Sequence, residues 1–200
     1  MRVLLAQART FQHRMTAETE MLQKFATGQA PSVLFITCSD SRVVPTLITG
    51  ARPGQLFELR TAGHIVPPHQ PGHACSEAAT IEYAVEVLKV SDIVLCGHSH
   101  CGAVGALARN EDLTPLPKVA QWLDPARKGL DGALGVDAED PALPGTVQQH
   151  VVTQLEVLRG YPEVSRRTAA GQLTLHGWYY RVDTAEVWEL DHAKGVFSRY

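Results

Sequence analysis

The sequence predicts an α/β fold built on a parallel sheet, and three observations carry that reading. Two apolar, β-branched runs, Val33-Leu34-Phe35-Ile36-Thr37 and Asp92-Ile93-Val94-Leu95, have the length and composition of buried strands. Between them, Ile81, Ala84, Val85 and Leu88 recur at helical spacing over 75–89. Strand, helix and strand in that order form a βαβ unit, whose strands lie parallel in one sheet.

Element by element, the reading begins with an amphipathic helix over 14–28, with Met15, Leu22, Phe25 and Ala26 on one face and Gly28 as its stop. The first strand covers 32–37. The turn signal Pro53-Gly54 introduces a short second strand over 55–60, and the third covers 92–96. A helix starts at Gly102 and runs to Ala108; further helices are expected over 118–127 and 146–159. Pro162, near a first helical position, opens another that ends at Ala170. Strands are expected over 172–178 and 186–190. The stretch 129–145, with four glycines and two prolines, reads as a surface loop. With no repeat and no linker, residues 1–200 form one domain. The first 30 residues are a helical arm without a position in the sheet, expected to pack on a second subunit.

Composition narrows the function. Hydrophobic content of 44% and charged content of 20% are ordinary for a globular chain. A net charge of −3 without a Lys/Arg cluster argues against nucleic acid as a partner. No apolar run approaches the ~20 residues of a membrane span, and Met1-Arg2-Val3-Leu4-Leu5-Ala6 is too short for a secretory signal. The expected location is the cytoplasm, where the four cysteines are metal ligands or buried thiols and not disulfides. Cys75 and Cys96 sit among apolar residues and are expected in the core.

The other two cysteines open a chemical reading. Cys38-Ser39-Asp40-Ser41-Arg42 and Cys96-Gly97-His98-Ser99-His100-Cys101-Gly102 each follow a predicted buried strand. The carboxyl ends of parallel strands lie side by side on one sheet edge. Two cysteines and a histidine can therefore meet at one point, as zinc requires, and three protein ligands leave a fourth position open, as catalysis requires. A divalent ion, two thiolates and a neutral imidazole sum to no net charge. Such a centre is a weaker Lewis acid than one built from three histidines, so activity is expected to rise above neutral pH. Asp40, two residues past Cys38, is placed to accept a hydrogen bond from the reacting water. Arg42 can hold Asp40 by a bidentate pair and keep it from taking the open position itself.

At these residues the chain resembles the β-class carbonic anhydrases. The likeness extends to Arg60-Thr61-Ala62-Gly63 with Val66-Pro67-Pro68, to Ile81-Glu82-Tyr83-Ala84-Val85 and to His176-Gly177-Trp178. It implies a parallel sheet of four strands plus an antiparallel edge strand, flanked by helices, and a homodimer or multiple of dimers whose N-terminal helices wrap the partner. It implies one Zn2+ per chain held by Cys38, His98 and Cys101, with Asp40 and Arg42 as the catalytic dyad. The implied reaction is attack of zinc-bound hydroxide on CO2 to give bicarbonate and a proton. Gly63, Val66, Gly102 and Ala103 are expected to line the substrate pocket, and His64, His69 and His73 to help export the proton.

The chain departs from the family pattern at Thr61 and His64, where Asn is common, and at Arg52, where plant-type members often carry Gln. Phe35 stands where one branch has a Trp lining a second bicarbonate pocket, and it lacks the indole donor. Two other functions fit the same residues. One is hydrolysis of CS2 or COS, favoured by a narrow tunnel that extra C-terminal residues usually build; no long tail follows the last strand here. The other is a catalytically silent zinc-binding partner domain, against which the intact Asp40–Arg42 pair argues.

Overall fold

The computed structural model describes residues 1–130 and 143–199. Backbone contacts divide the chain into two compact units, Met1–Ala30 and Pro31–Tyr200.

The larger unit carries a six-stranded sheet. Its strands are β1 (Val33–Cys38), β2 (Leu56–Thr61), β3 (Asp92–His98), β4 (Thr174–Tyr180), β5 (Val187–Asp191) and β6 (Val196–Arg199), in the order β2-β1-β3-β4-β5-β6. The first four strands in that order run parallel, and β5 and β6 are added antiparallel. The expected sheet is therefore present, with one strand more at its antiparallel edge. Asp191 makes that extra strand: its carboxylate accepts the N–H groups of Ala193 (3.0 Å) and Lys194 (3.1 Å) and closes a turn completed by left-handed Gly195.

The sheet buries both faces of its central strands, which is why β1 and β3 read as continuous apolar runs. Leu34, Ile36, Ile93 and Leu95 point into the main core, and Phe35, Val94 and Cys96 into a smaller cluster on the other face. Phe35 stands edge-on to Trp178, ring centroids 5.8 Å apart.

The helices of this unit are α4 (Pro45–Thr49), α5 (Ser76–Glu82), α6 (Gly102–Ala108), α7 (Pro117–Arg127), α8 (Pro144–Arg159) and α9 (Pro162–Ala169). α8 presses Val147, Val151, Leu155 and Leu158 into the core. It comes so close to the sheet that a Cβ on Gly97 of β3 would lie 2.7 Å from a methyl of Val151 and 2.8 Å from one of Val147. The helix expected over 75–89 is α5 followed by a wider turn over Tyr83–Val87, where Leu88 N–H bonds to Tyr83 O (3.0 Å). Cys75 is not a core residue. It caps α5, its sulfur accepting the Ala78 N–H at 3.4 Å, and it is half-buried. Of the loop expected over 129–145, residues 131–142 lie outside the described residues, and Pro144 already belongs to α8.

The smaller unit holds α1 (Arg2–Arg9), α2 (Phe11–Arg14) and α3 (Thr19–Phe25). The single helix expected over 14–28 is thus shortened to Thr19–Phe25, behind a tight turn over Thr16–Glu18. The hydroxyl of Thr16 bonds back to His13 O (2.9 Å) and that of Thr19 to Thr16 O (2.7 Å), and such local bonds compete with a continuous helical ladder. None of these helices contains a buried residue. No described helix is long and apolar enough to cross a membrane.

Candidate active site

Register brings the two motifs together. Thr37 of β1 pairs with Cys96 of β3, so Cys38 falls beside Gly97 and one step from His98. Past β3 the chain turns at His100, whose φ of 57° is left-handed, and delivers Cys101 to the N-cap of α6. The ligand atoms of Cys38, His98 and Cys101 all lie within 4.8 Å of one another, and all three residues are buried.

Each donor is prepared by its surroundings. His98 Nδ1 lies 2.9 Å from Ser99 O, which makes it the protonated nitrogen and leaves Nε2 with its lone pair free. That Nε2 is buried and has no hydrogen-bond partner. A buried lone pair facing two thiols suits a thiophilic divalent cation better than any protein donor present. The two sulfurs share one negative charge: the neighbouring Cys101 thiol is the largest influence that holds the Cys38 pKa down to about 4, with further help from the backbone of Asp40 and Gly63. Cys101, as the proton donor of that pair, is pushed well above its usual range, although the N–H groups of Ala103 and Val104 at the start of α6 favour its thiolate. A divalent cation would remove the shared proton and make both sulfurs ligands.

Asp40 stands next to this group with its carboxylate occupied. Oδ1 accepts Arg42 N–H (2.9 Å) and Nε–H (3.0 Å), and Oδ2 accepts Nη2–H (2.8 Å). The Arg42 hydrogen bond is the main reason why Asp40 titrates far below the usual carboxylate range. Arg42 Nη2 also donates to His100 O (3.0 Å), tying the first motif to the second. Beneath the pair, the Arg60 guanidinium donates to the carbonyls of Cys38 (3.1 Å), Asp40 (2.8 Å) and Val43 (2.7 Å). One planar cation thereby fixes the loop that carries both Cys38 and Asp40.

The expected pocket residues part company. Gly63, left-handed with φ 73°, abuts α6: a Cβ there would lie 3.0 Å from the Cβ of Ala103. Val66 turns away into the main core, and it is Ile65 that shares a hydrophobic cluster with Cys38 and Cys101. Gly102 is exposed at the start of α6. The loop histidines divide as well. His69 and His73 are exposed. His64 is fully buried, edge-on to His150 at 4.7 Å between centroids, and burial drives its pKa well below the usual histidine range. In that position His64 is set apart from the solvent that His69 and His73 reach. The residues that sequence reasoning missed are Arg60, Trp122, His150 and Gln154, which hold this loop and its neighbour from behind. Gln154 Oε1 accepts Val66 N–H at 2.8 Å. A signal for two of them existed: His150 and Gln154 are polar residues four apart on the buried face of α8.

Comparison with known proteins agrees with this geometry. Residues 33–187 match the family model for carbonic anhydrase. Over 185 residues the chain is 45% identical to a carbonic anhydrase of Pseudomonas aeruginosa, the match covering 90% of this chain and 83% of that one. The structure of the β-carbonic anhydrase CcaA superposes with a TM-score of 0.89 at 36% identity, over 100% of this chain and 98% of that one. A structure of tetrameric β-carbonic anhydrases from the ascomycete Sordaria macrospora gives a TM-score of 0.82 at 32% identity, over 95% of each chain. With the family model matched over residues 33–187, and with solved β-carbonic anhydrases superposing on nearly the whole chain, the chain belongs to the β class of the carbonic anhydrase family.

Proposed function

We propose that this chain is a zinc enzyme that hydrates CO2 reversibly to bicarbonate and a proton, with Cys38, His98 and Cys101 as the metal ligands. The observation that carries the reading is the buried S, S, N donor set, all within 4.8 Å, beside a carboxylate already committed to an arginine. When bound, zinc supplies a Lewis acid that brings the pKa of water down toward neutrality. Asp40 orients the reacting water by accepting its hydrogen bond. Arg42 keeps that carboxylate ionised and, by occupying both of its oxygens, keeps it from competing for the metal. Gly63 packs directly against Ala103, and Ile65 supplies an apolar wall beside Cys38 and Cys101 in place of Val66. His69 and His73, exposed on the loop, are the groups suited to pass the proton to solvent. The reducing cytoplasm suits a site whose two thiols must stay unoxidised.

The test is stopped-flow CO2 hydration on protein of known zinc content, at about pH 7 and about pH 8.5. One zinc per chain with faster turnover at the higher pH is the expected result. Full zinc with no hydration at either pH would refute the reading.

We further propose that the chain assembles through its first 30 residues into a dimer or a multiple of dimers. Val3 is 73% exposed, Leu4 70% and Phe11 53%, and such apolar helix faces need a covering surface. The Sordaria macrospora relatives are tetrameric. Light scattering should return a mass of at least two chains; a single-chain mass at micromolar concentration rules the assembly out.

A further inference from the structure

The turn between β4 and β5 reaches back to the metal ligands. His98 and Tyr180 form the last pair of the β3–β4 ladder, and just past it Ser99 N–H donates to Tyr180 O at 2.9 Å. One residue further on, the chain leaves the sheet at left-handed His100. Ser99 carries the tie beyond the end of the ladder with its side chain: Oγ accepts the N–H of Val182 at 3.0 Å. That donor is itself held, because the turn is closed by Arg181 N–H to Glu186 O (2.8 Å) and by Ala185 N–H to Arg181 O (2.9 Å). Ser99 is fully buried, which keeps solvent from competing for its hydroxyl. Its carbonyl is the acceptor of His98 Nδ1–H, at 2.9 Å. Beyond the peptide that bears this carbonyl, His100 O accepts Arg42 Nη2–H at 3.0 Å. The group that fixes the His98 ring is therefore pinned on one side by the β4–β5 turn and on the other by the arginine that holds Asp40.

We propose that Ser99 is a positioning residue for His98: anchored to the β4–β5 turn through Oγ and the Val182 N–H, it aims the carbonyl that keeps the ring proton on Nδ1 and leaves Nε2 for the metal. The inference rests on the reading of His98 as a ligand. A carbonyl opposite a metal-binding nitrogen fixes both the tautomer and the tilt of the imidazole, and outer partners of this kind commonly govern metal affinity. The turn, eighty-three residues beyond Ser99, thereby becomes part of the frame of the metal site.

Two variants test it. S99A removes the acceptor at almost no change in bulk. V182P removes the donor and leaves Ser99 in place, at the residue that opens the turn, where proline is at home. Two quantities are read on the full chain. One is zinc affinity at neutral pH, by competition with a chelator. The other is the proton NMR spectrum of the cobalt(II)-loaded protein, in which the Nδ1–H of the single imidazole ligand gives a strongly shifted line whose exchange into D2O is timed. Each variant is expected to lose about tenfold in zinc affinity. Each should also exchange that proton about tenfold faster than the parent, as the loss of a well-placed hydrogen bond implies. Unchanged affinity and exchange in S99A overturn the inference. Weaker binding with unchanged exchange marks a purely structural role and overturns it too. If S99A does not fold, V182P decides by the same two readings. A cobalt-loaded parent without a slowly exchanging line shows that Ser99 O does not hold the ring, and this also overturns it. A parent chain that takes up no metal refutes the ligand reading instead.

Discussion

Asp40→Asn is expected to slow CO2 hydration by about two to three orders of magnitude while zinc content stays at one per chain. Both oxygens of the Asp40 carboxylate accept from Arg42, through its backbone N–H, Nε and Nη2. An asparagine has one oxygen; its amide nitrogen would turn two hydrogens toward a guanidinium that has only hydrogens to offer. Either the pair opens or the amide turns, and in both cases the water loses a fixed, charged acceptor. Zinc remains because the Cys38, His98 and Cys101 donor set does not include Asp40. The loop should also remain, since Arg60 holds it by main-chain carbonyls that the substitution leaves alone. Stopped-flow rates on zinc-analysed protein check this directly. A rate within about threefold of the parent would remove Asp40 from the mechanism. The pH profile gives a second check. Asp40 is ionised from far below the usual carboxylate range, so the rise expected above neutral pH belongs to another group and should persist, scaled down, in the variant.

What could be read from the sequence follows from what determined each element. β1 and β3 were visible because both of their faces are buried, which makes them nearly continuous apolar runs up to the site residue His98. That Cys38 and His98 meet followed from parallel pairing, whereas Cys101 also needed the left-handed turn at His100. β6 was not visible: of Val196, Phe197, Ser198 and Arg199 only Phe197 is even partly buried, and the strand exists through a turn closed by the Asp191 carboxylate. α1 and α2 bury nothing within the chain, so no packing pattern marks them. His64 shows a different limit. Its neighbours in sequence, Pro67, Pro68, His69 and Gln70, describe a polar loop, whereas its environment is supplied by α8, more than eighty residues later. The ring nitrogen of His98 was undecidable for another reason: it depends on how the ring turns against the carbonyl of its own neighbour, Ser99. Local pattern shows which residues are buried against the sheet; it is silent about which distant side chain stands behind a loop.

That buried histidine pair has a measurable cost in acid. Between pH 6.5 and about pH 4, the parent is expected to lose about 3 kcal/mol more stability than His150→Gln. The sign follows from the proton balance. Burial lowers the pKa of His150 to about 4, whereas an unfolded histidine titrates near 6.5. Below that value the unfolded chain takes up a proton that the folded chain refuses. Stability therefore falls with pH by up to about 1.4 kcal/mol per unit, until the folded ring itself protonates. His64 contributes in the same direction, its pKa lowered by burial first and then by repulsion from His150 and His98. Removing His150 relieves part of that repulsion, so the variant should recover somewhat more than its own share. Denaturant unfolding at a series of pH values measures the two curves. Carboxylates titrate in the same window, but they do so in both proteins and cancel in the difference. Zinc loss cancels too, provided that glutamine keeps the bond that His150 Nε2–H makes to Gly63 O at 3.0 Å. Parallel curves would mean that His150 accepts a proton in the folded state near its ordinary pKa. The neutral ring that donates through Nε2 to Gly63 O would then be wrong. Diverging curves would mean that the fold gives up acid stability to keep an uncharged donor on Gly63 O. A cationic imidazole there would have to bury an additional N–H with no acceptor, close to a metal that is itself positive.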